Sequence, residues 1–223
     1  MPEIKLSPAD YDSVIDAALA EDVGAGDVTT RATIPAGRPL AGVLSARSPM
    51  VVAGLPVATA VFARVDPLIE FTPQVADGDR INPGQIIAEV AGPAESVLTG
   101  ERTALNILHM LSAIATETRR YVDAIAGTGC TLLDTRKTIP GLRALSKYAV
   151  RCGGGTNHRM RLDDGILIKD NHIASVGSIS AAVGAAKNYG IETSTIGITV
   201  ECDTLEQAAE AVAAGADRLL LDN

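Results

Sequence analysis

The chain has 223 residues, 47% hydrophobic and 21% charged, which is enough apolar material for one large or two small cores and excludes disorder as a description of the whole. Its net charge of −8 argues against a general binder of nucleic acid or of anionic membranes. No uncharged run exceeds 16 residues; the run at 48–63 is broken by Pro49 and Pro56 and falls short of the ~18–20 apolar residues that a membrane-spanning helix needs.

In chain order, Met-Pro-Glu-Ile-Lys has neither a basic cap nor an apolar stretch of the secretory kind. Ser7-Pro8 followed by Tyr11, Val14, Ile15, Ala18 and Leu19 predicts a helix with one apolar stripe, ended by Gly24 and Gly26. From about Thr29 to Pro93 short strands are expected at 42–46, 50–53, 69–71 and 86–90, with turns at Asp77-Gly78-Asp79 and Asn82-Pro83-Gly84 and a helix over 58–65. Residues 77–90 are similar to the hairpins of lipoyl or biotinyl carrier domains. A carrier needs a lysine at a hairpin tip, and no lysine lies between Lys5 and Lys137.

Residues 99–126 predict a long helix with Leu105, Leu108, Leu111, Ile114 and Ala115 on one stripe. Short apolar runs at 130–133, 166–168, 198–200 and 219–221 then alternate with helical stretches at 178–189 and 204–214, the latter closed by Gly215. Continuous apolar runs of this kind are expected of parallel strands buried on both faces, in a sheet or barrel of βα units. The three cysteines, Cys130, Cys152 and Cys202, are far apart and fit buried thiols in a reducing cytoplasm rather than a disulfide frame or a zinc site.

Charge is unevenly spread. Residues 135–169 hold Arg136, Lys137, Arg143, Lys147, Arg151, Arg159, Arg161 and Lys169 but only two acids, Asp163 and Asp164, so this stretch is +6 and the remainder −14. A focused positive segment in an acidic chain suits a small polyanion better than a polymer. The apolar runs end in Asp134, Lys169, Glu201 and Asp222, and the carboxyl ends of parallel strands are where ligands bind in βα folds. Arg136 beside Lys137 offers a fork and a point charge for carboxylates and phosphates. Gly153-Gly154-Gly155 is expected to bring backbone N–H groups close to a ligand, with His158 and Arg159 projecting from the same turn. His109 reads as a packed side chain of the long helix, and His172 as a residue that orders its loop. No Walker, zinc-protease or nucleophile-elbow motif is present.

Three blocks, Leu133-Asp134-Thr135-Arg136-Lys137-Thr138-Ile139-Pro140-Gly141-Leu142-Arg143, Lys147 through Arg159, and Leu167-Ile168-Lys169-Asp170-Asn171-His172-Ile173, carry a family resemblance. With Glu21-Asp22, Gly26 through Thr30, Gly100 through Asn106, and Leu221-Asp222-Asn223, they resemble the quinolinate phosphoribosyltransferases, also called carboxylating nicotinate-nucleotide pyrophosphorylases, over nearly the whole chain. A paralogous group linked to molybdenum transport shares that fold.

The resemblance implies an α/β protein with an N-terminal α+β sandwich-like domain over 1–113 and an open or incomplete βα barrel over 114–223. It implies phosphoribosyl transfer from phosphoribosyl pyrophosphate to quinolinate with decarboxylation, using magnesium, in a cytoplasmic homodimer or larger homo-oligomer without nucleic-acid or membrane partners. It assigns the quinolinate carboxylates to Arg136, His158, Arg159 and Lys169, with Arg102 supplied by a neighbouring subunit. Thr135 joins the substrate-binding set, Lys137 faces the departing pyrophosphate, and Glu201 and Asp222 address the ribose hydroxyls and magnesium. Lys137, Glu201 and Asp222 are thus the expected catalytic group. Family members continue beyond the position of Asn223 into further βα units with a phosphate-binding glycine loop, so the resemblance also implies a chain shortened at its C-terminus, with slow turnover. A Schiff-base lyase using Lys169 and a non-catalytic anion-binding protein are the alternatives of other classes.

Overall fold

The computed structural model describes residues 5–189 and 197–222; the readings made at Met1–Ile4 and at Asn223 lie outside them. The chain divides into two compact units, Met1–Asn157 and His158–Asn223.

In the first unit, helix α1 (Pro8–Val23) starts where Ser7-Pro8 predicts. The Asp10 carboxylate accepts from the Ser7 N–H at 2.9 Å and from its hydroxyl at 2.7 Å, which answers groups the helix start leaves open. Gly24, at φ +53°, closes the helix. A second, short helix, α2 (Val28–Thr33), was not expected from the sequence. Asp27 caps it by accepting from the Thr30 N–H at 2.9 Å, so part of the Gly26–Thr30 motif is a helix start.

Strand β1 (Pro39–Ser45) is followed by β2 (Met50–Val51), helix α3 (Leu55–Val65), β3 (Glu70–Pro73), β4 (Arg80–Ile81) and β5 (Ile86–Pro93). They form an antiparallel sheet in the order β1-β5-β3 and a two-stranded pair, β2-β4. Helix α4 (Ala94–Ala124) follows, 31 residues and ~46 Å long at 1.5 Å per residue. Its buried positions Val97, Gly100, Ala104, Ile107, Leu108, Leu111 and Ala115 recur every three or four residues, so one stripe faces the core. The same face carries polar anchors. Ser112 Oγ accepts from the Ala53 N–H at 3.1 Å, and Thr116 Oγ1 accepts from the Val51 N–H at 2.9 Å, which satisfies backbone beside and within the short strand β2. The chain's two phenylalanines, Phe62 and Phe71, stack in this core with ring centroids 5.2 Å apart. Helix α5 (Arg143–Cys152) packs against α4 and completes the unit.

The second unit is built of βα repetition: β6 (Ile166–Ile168), α6 (Asp170–Val176), α7 (Ile179–Asn188), β7 (Ile198–Cys202), α8 (Leu205–Ala214) and β8 (Arg218–Leu221). The sheet is parallel in the order β6-β7-β8, with Ile168 beside Val200 and Val200 beside Leu219. Ile168, Ile179, Val183, Ile198 and Val200 form its core. A mixed α/β chain with an N-terminal sheet unit and a parallel sheet flanked by helices is therefore present, as the sequence predicts.

Three local expectations need correction. Residues 130–133 are not a strand; among the described residues they make a single parallel bridge, Leu133 to Thr156, because Thr128-Gly129 leads in through a bend that leaves residues 130 and 131 exposed. Strand β8 forms, yet Leu219, Leu220 and Leu221 are exposed because, among the described residues, it is an edge strand with one neighbour, β7. Cys130 is exposed, whereas Cys152 and Cys202 are buried. Burial, with the Asp77 carboxylate nearby, pushes the Cys152 thiol up to about 12, and burial likewise raises Cys202. At pH 8 a thiol-reactive chromophore should therefore titrate Cys130 quickly and the other two only after unfolding. Rapid labelling of two or three thiols in the folded chain would contradict this packing.

Candidate active site

In the first unit the Arg136–Lys137 pair sits on a short turn. Leu133 bridges Thr156, the Asp134 N–H donates to the Thr156 carbonyl at 3.1 Å, and the Thr156 N–H donates to the Leu132 carbonyl at 2.9 Å, so the turn leaves a fixed base. Thr135 Oγ1 then accepts from the Lys137 N–H at 3.1 Å, and the Arg136 carbonyl accepts from the Thr138 N–H at 2.9 Å. These bonds are made inside the turn, which leaves the Thr135 and Lys137 side chains exposed and Arg136 half-buried. Arg136 Nε is buried and meets no hydrogen-bond acceptor among the described residues. A buried guanidinium donor left open in this way costs free energy that an arriving carboxylate or phosphate oxygen would recover.

Asp134 is not an open carboxylate at a strand tip. Its side chain, 7% exposed, is ion-paired with Lys147, which is 1% exposed, and it accepts from Asn157 Nδ2 at 2.6 Å. Lys147 belongs to the basic segment and to a family block, but its pairing with Asp134 was not expected from the sequence. It lies on α5 among the buried residues Leu145, Tyr148 and Ala149, and the spacing of Arg143, Lys147 and Arg151 on one helix face was the available signal. Next along, the Tyr148 hydroxyl donates to Asp77 at 2.5 Å; burial and that carboxylate push the phenol far above its ordinary value. Asp77 also accepts from the N–H groups of Gly54 and Leu55 at 2.8 and 3.1 Å, which ties α5 to the start of α3.

The glycine run has a different role from the one expected. The N–H groups of Gly153, Gly154 and Gly155 donate to the carbonyls of Ala149, Arg151 and Val150, so they close α5 instead of facing a ligand. What requires glycine is the approach to α4. A Cβ on Gly153 would lie 2.5 Å from both the Ala115 carbonyl oxygen and Thr118 Cβ, and one on Gly155 would lie 3.0 Å from Thr118 Cγ2.

In the second unit, Lys169 follows β6 directly and caps α6, and its Nζ pairs with Glu201 Oε2 at 2.5 Å. Glu201 stands in β7 one residue beyond Val200, the partner of Ile168, so register alone places the two side by side. Asp222 follows β8, exposed, with its N–H bonded to the Cys202 carbonyl at 3.1 Å. Three of the four charged strand ends thus share one end of this sheet. Arg159 is buried and donates to the Gly165 carbonyl at 2.9 Å; His158 is half-buried. His172 does order its segment, since its Nδ1 accepts from the Lys169 N–H at 2.9 Å, within a helix start and not a loop. Lys169 is a poor Schiff-base lysine, because such an amine needs a desolvated setting or a neighbouring cation, and this one is 40% exposed beside a carboxylate.

Arg102 and His109 occupy a separate part of the first unit. Both are exposed on α4 and line a groove of about 650 Å³, together with Arg47 and the β1 residues Leu40, Val43 and Leu44. His109 is therefore a surface residue and not a packed one, since its position falls beside the buried stripe of Leu108 and Leu111.

An antiparallel α+β unit, with Arg136 and Lys137 on a turn, followed by a parallel βα unit, with Lys169, Glu201 and Asp222 at one sheet end, is the make-up of an α/β enzyme with charged strand-end residues. Known proteins make the class specific. The family model for the quinolinate phosphoribosyl transferase N-terminal domain matches residues 27–112, and that for the C-terminal domain matches residues 114–223. The nicotinate-nucleotide pyrophosphorylase (carboxylating) of Mycobacterium leprae is 45% identical across 98% of this chain and 78% of its own length, and a probable one from Bacillus subtilis is 44% identical across 91% and 69%. The crystal structure of NadC from Streptococcus pyogenes superposes with a TM-score of 0.92 at 43% identity, covering 98% of this chain and 77% of the other. The nicotinate-nucleotide pyrophosphorylase structure from Francisella tularensis gives 0.93 at 38%, covering 100% and 78%. The chain belongs to the quinolinate phosphoribosyl transferase family.

The seat of α5 on α4 can be tested at Gly153. Gly153→Ala should lower stability by about 1–3 kcal/mol in a denaturant titration, since the added methyl meets backbone and a β-branched side chain that cannot both retreat. An unchanged midpoint would mean that the contact is not tight.

Proposed function

We propose that this chain joins quinolinate to the phosphoribosyl group of phosphoribosyl pyrophosphate, giving nicotinate mononucleotide, carbon dioxide and pyrophosphate in NAD biosynthesis. The observation that carries this reading is the open Arg136 Nε donor within a segment that matches the family. Quinolinate brings two carboxylates and its co-substrate a phosphate and a pyrophosphate, which suits a +6 segment in an otherwise acidic chain.

The roles follow the family pattern residue by residue. Arg136, His158, Arg159 and Lys169 bind the quinolinate carboxylates, and Arg102 does so in the site of a second copy, which makes the active species at least a homodimer. Thr135 belongs to the substrate-binding set, and Lys137 faces phosphoribosyl pyrophosphate, where its ammonium offsets the charge of the leaving group. Glu201 and Asp222 address the ribose hydroxyls.

As the bond from the anomeric carbon to pyrophosphate breaks, that carbon becomes cation-like, and carboxylates nearby stabilise it. The ring nitrogen supplies the new bond. The resulting ring cation takes up the electron pair released when the adjacent carboxylate leaves as carbon dioxide, and a proton fills its place. The protein contributes position and charge and no nucleophile.

Glu201 and Asp222 would hold magnesium. Two carboxylates with waters and substrate phosphates form a usual ligand set, and among the described residues no group of three or more His, Cys, Asp or Glu gathers into a protein-only cage. When bound, magnesium would neutralise developing charge on pyrophosphate. No described helix is long and apolar enough to cross a membrane. The proposed setting is the cytoplasm, a reducing compartment that suits the free cysteines Cys130, Cys152 and Cys202.

The test combines carbon dioxide release with calorimetry. Release should require both quinolinate and phosphoribosyl pyrophosphate. Arg136→Ala, folded, should lose quinolinate binding by at least about tenfold, the worth of one charge-assisted contact at ~1.5–3 kcal/mol. Release without phosphoribosyl pyrophosphate, or unchanged affinity in the variant, would overturn the reading.

A further inference from the structure

Residues four apart on a helix share a face, and Arg143 and Lys147 are so placed on α5. Both reach the same turn. Lys147 Nζ pairs with Asp134 where the turn begins, and Arg143 Nε donates to Thr138 Oγ1 at 3.1 Å where it ends. Only Thr135, Arg136 and Lys137 lie between the two anchors. Asn157 braces the first anchor, donating from Nδ2 to Asp134 at 2.6 Å and to the Lys147 carbonyl at 2.9 Å.

Stability alone does not account for this arrangement. A lysine ammonium at 1% exposure has given up its water, and so has the carboxylate it meets. Apolar side chains of similar volume often hold such a site at least as firmly. What the charged cluster adds is direction, because each of its hydrogen bonds has a fixed length and angle. The helix that carries it is itself immobilised at both flanks: Tyr148 is bonded to Asp77, and the glycine run is seated on Ala115 and Thr118.

We propose that Lys147 and Arg143 are positioning residues that hold Arg136 and Lys137 in their anion-binding geometry. Neither needs to touch substrate. Lys147 sets the departure of the turn through Asp134, and Arg143 sets its return through Thr138. The inference rests on the reading of Arg136 as a quinolinate ligand, but it fails separately from that reading. If Arg136→Ala leaves quinolinate affinity unchanged, the ligand assignment is wrong; if only the α5 variants leave it unchanged, the positioning role is wrong.

The experiment measures quinolinate affinity by calorimetry, alongside the melting temperature, in three variants of the 223-residue chain. Arg143→Met removes the outer anchor from a half-buried position. Asn157→Ser removes the brace and keeps the buried ion pair. Asp134→Asn with Lys147→Met removes both charges together, so that neither is stranded in the core. Each folded variant should bind quinolinate more weakly, by about tenfold for the first and third, the cost of misplacing one charge-assisted contact. Arg143→Lys, which keeps a donor, should restore part of the loss. A purely structural cluster would move the melting temperature and leave the affinity of the folded protein alone, and that result overturns the proposal. Failure of all three variants to fold would also overturn it, because the cluster would then be a folding element.

Discussion

Like charges set close together repel, and a turn that gathers cations for an anionic substrate must hold them there before the substrate arrives. Two unit charges ~7 Å apart repel by about 0.6 kcal/mol in water and by about 2 kcal/mol at an effective dielectric of ~20, so the repulsion grows as the site closes off from solvent. In this chain Arg136 and Lys137 are neighbours on a five-residue turn, and the restoring forces come from its two ends. Asp134 is locked by Lys147 and Asn157 at one, and Thr138 is met by Arg143 at the other. The rest of the first unit can be read as the support for that constraint.

The support runs inward in steps. Helix α5 lies close to α4 because Gly153 and Gly155 bring backbone where a side chain would collide with Ala115 or Thr118. Helix α4 is in turn fixed by its apolar stripe and by the hydroxyls of Ser112 and Thr116, which bond the backbone of residues 51 and 53. Asp77 closes the circuit, joining Tyr148 on α5 to the N–H groups at the start of α3. In the second unit the device is simpler. Parallel register sets Lys169 next to Glu201, and the two neutralise each other at the sheet end that Asp222 shares.

Much of this was legible in the sequence where short-range chemistry decides. Ser7-Pro8 and Gly24 bound α1, Gly215 closes α8, and the apolar runs at 166–168 and 198–200 are strands, because caps and unbroken apolar stretches act locally. The family blocks were legible too, and they carried the assignment. What was not legible depends on partners far along the chain. Residues 130–133 are apolar enough for a strand, but among the described residues they find only Thr156 to bridge. The glycine run looked like a ligand cradle because sequence does not reveal that Ala115 and Thr118 occupy the space beside it. Lys147 looked like one more surface cation of a basic segment. Its burial follows from Asp134, thirteen residues earlier, and no local rule pairs them.

These elements share one chemical consequence. The donors that remain open after the protein has satisfied its own needs are the ones a substrate can use, and Arg136 Nε is such a donor, buried and unanswered among the described residues. The most direct test is a crystal structure of the chain with quinolinate bound. A quinolinate carboxylate oxygen should lie about 2.7–3.0 Å from Arg136 Nε, with the turn from Asp134 to Thr138 unchanged. Quinolinate bound away from Arg136, with Nε answered by an acceptor of the protein itself, would contradict it.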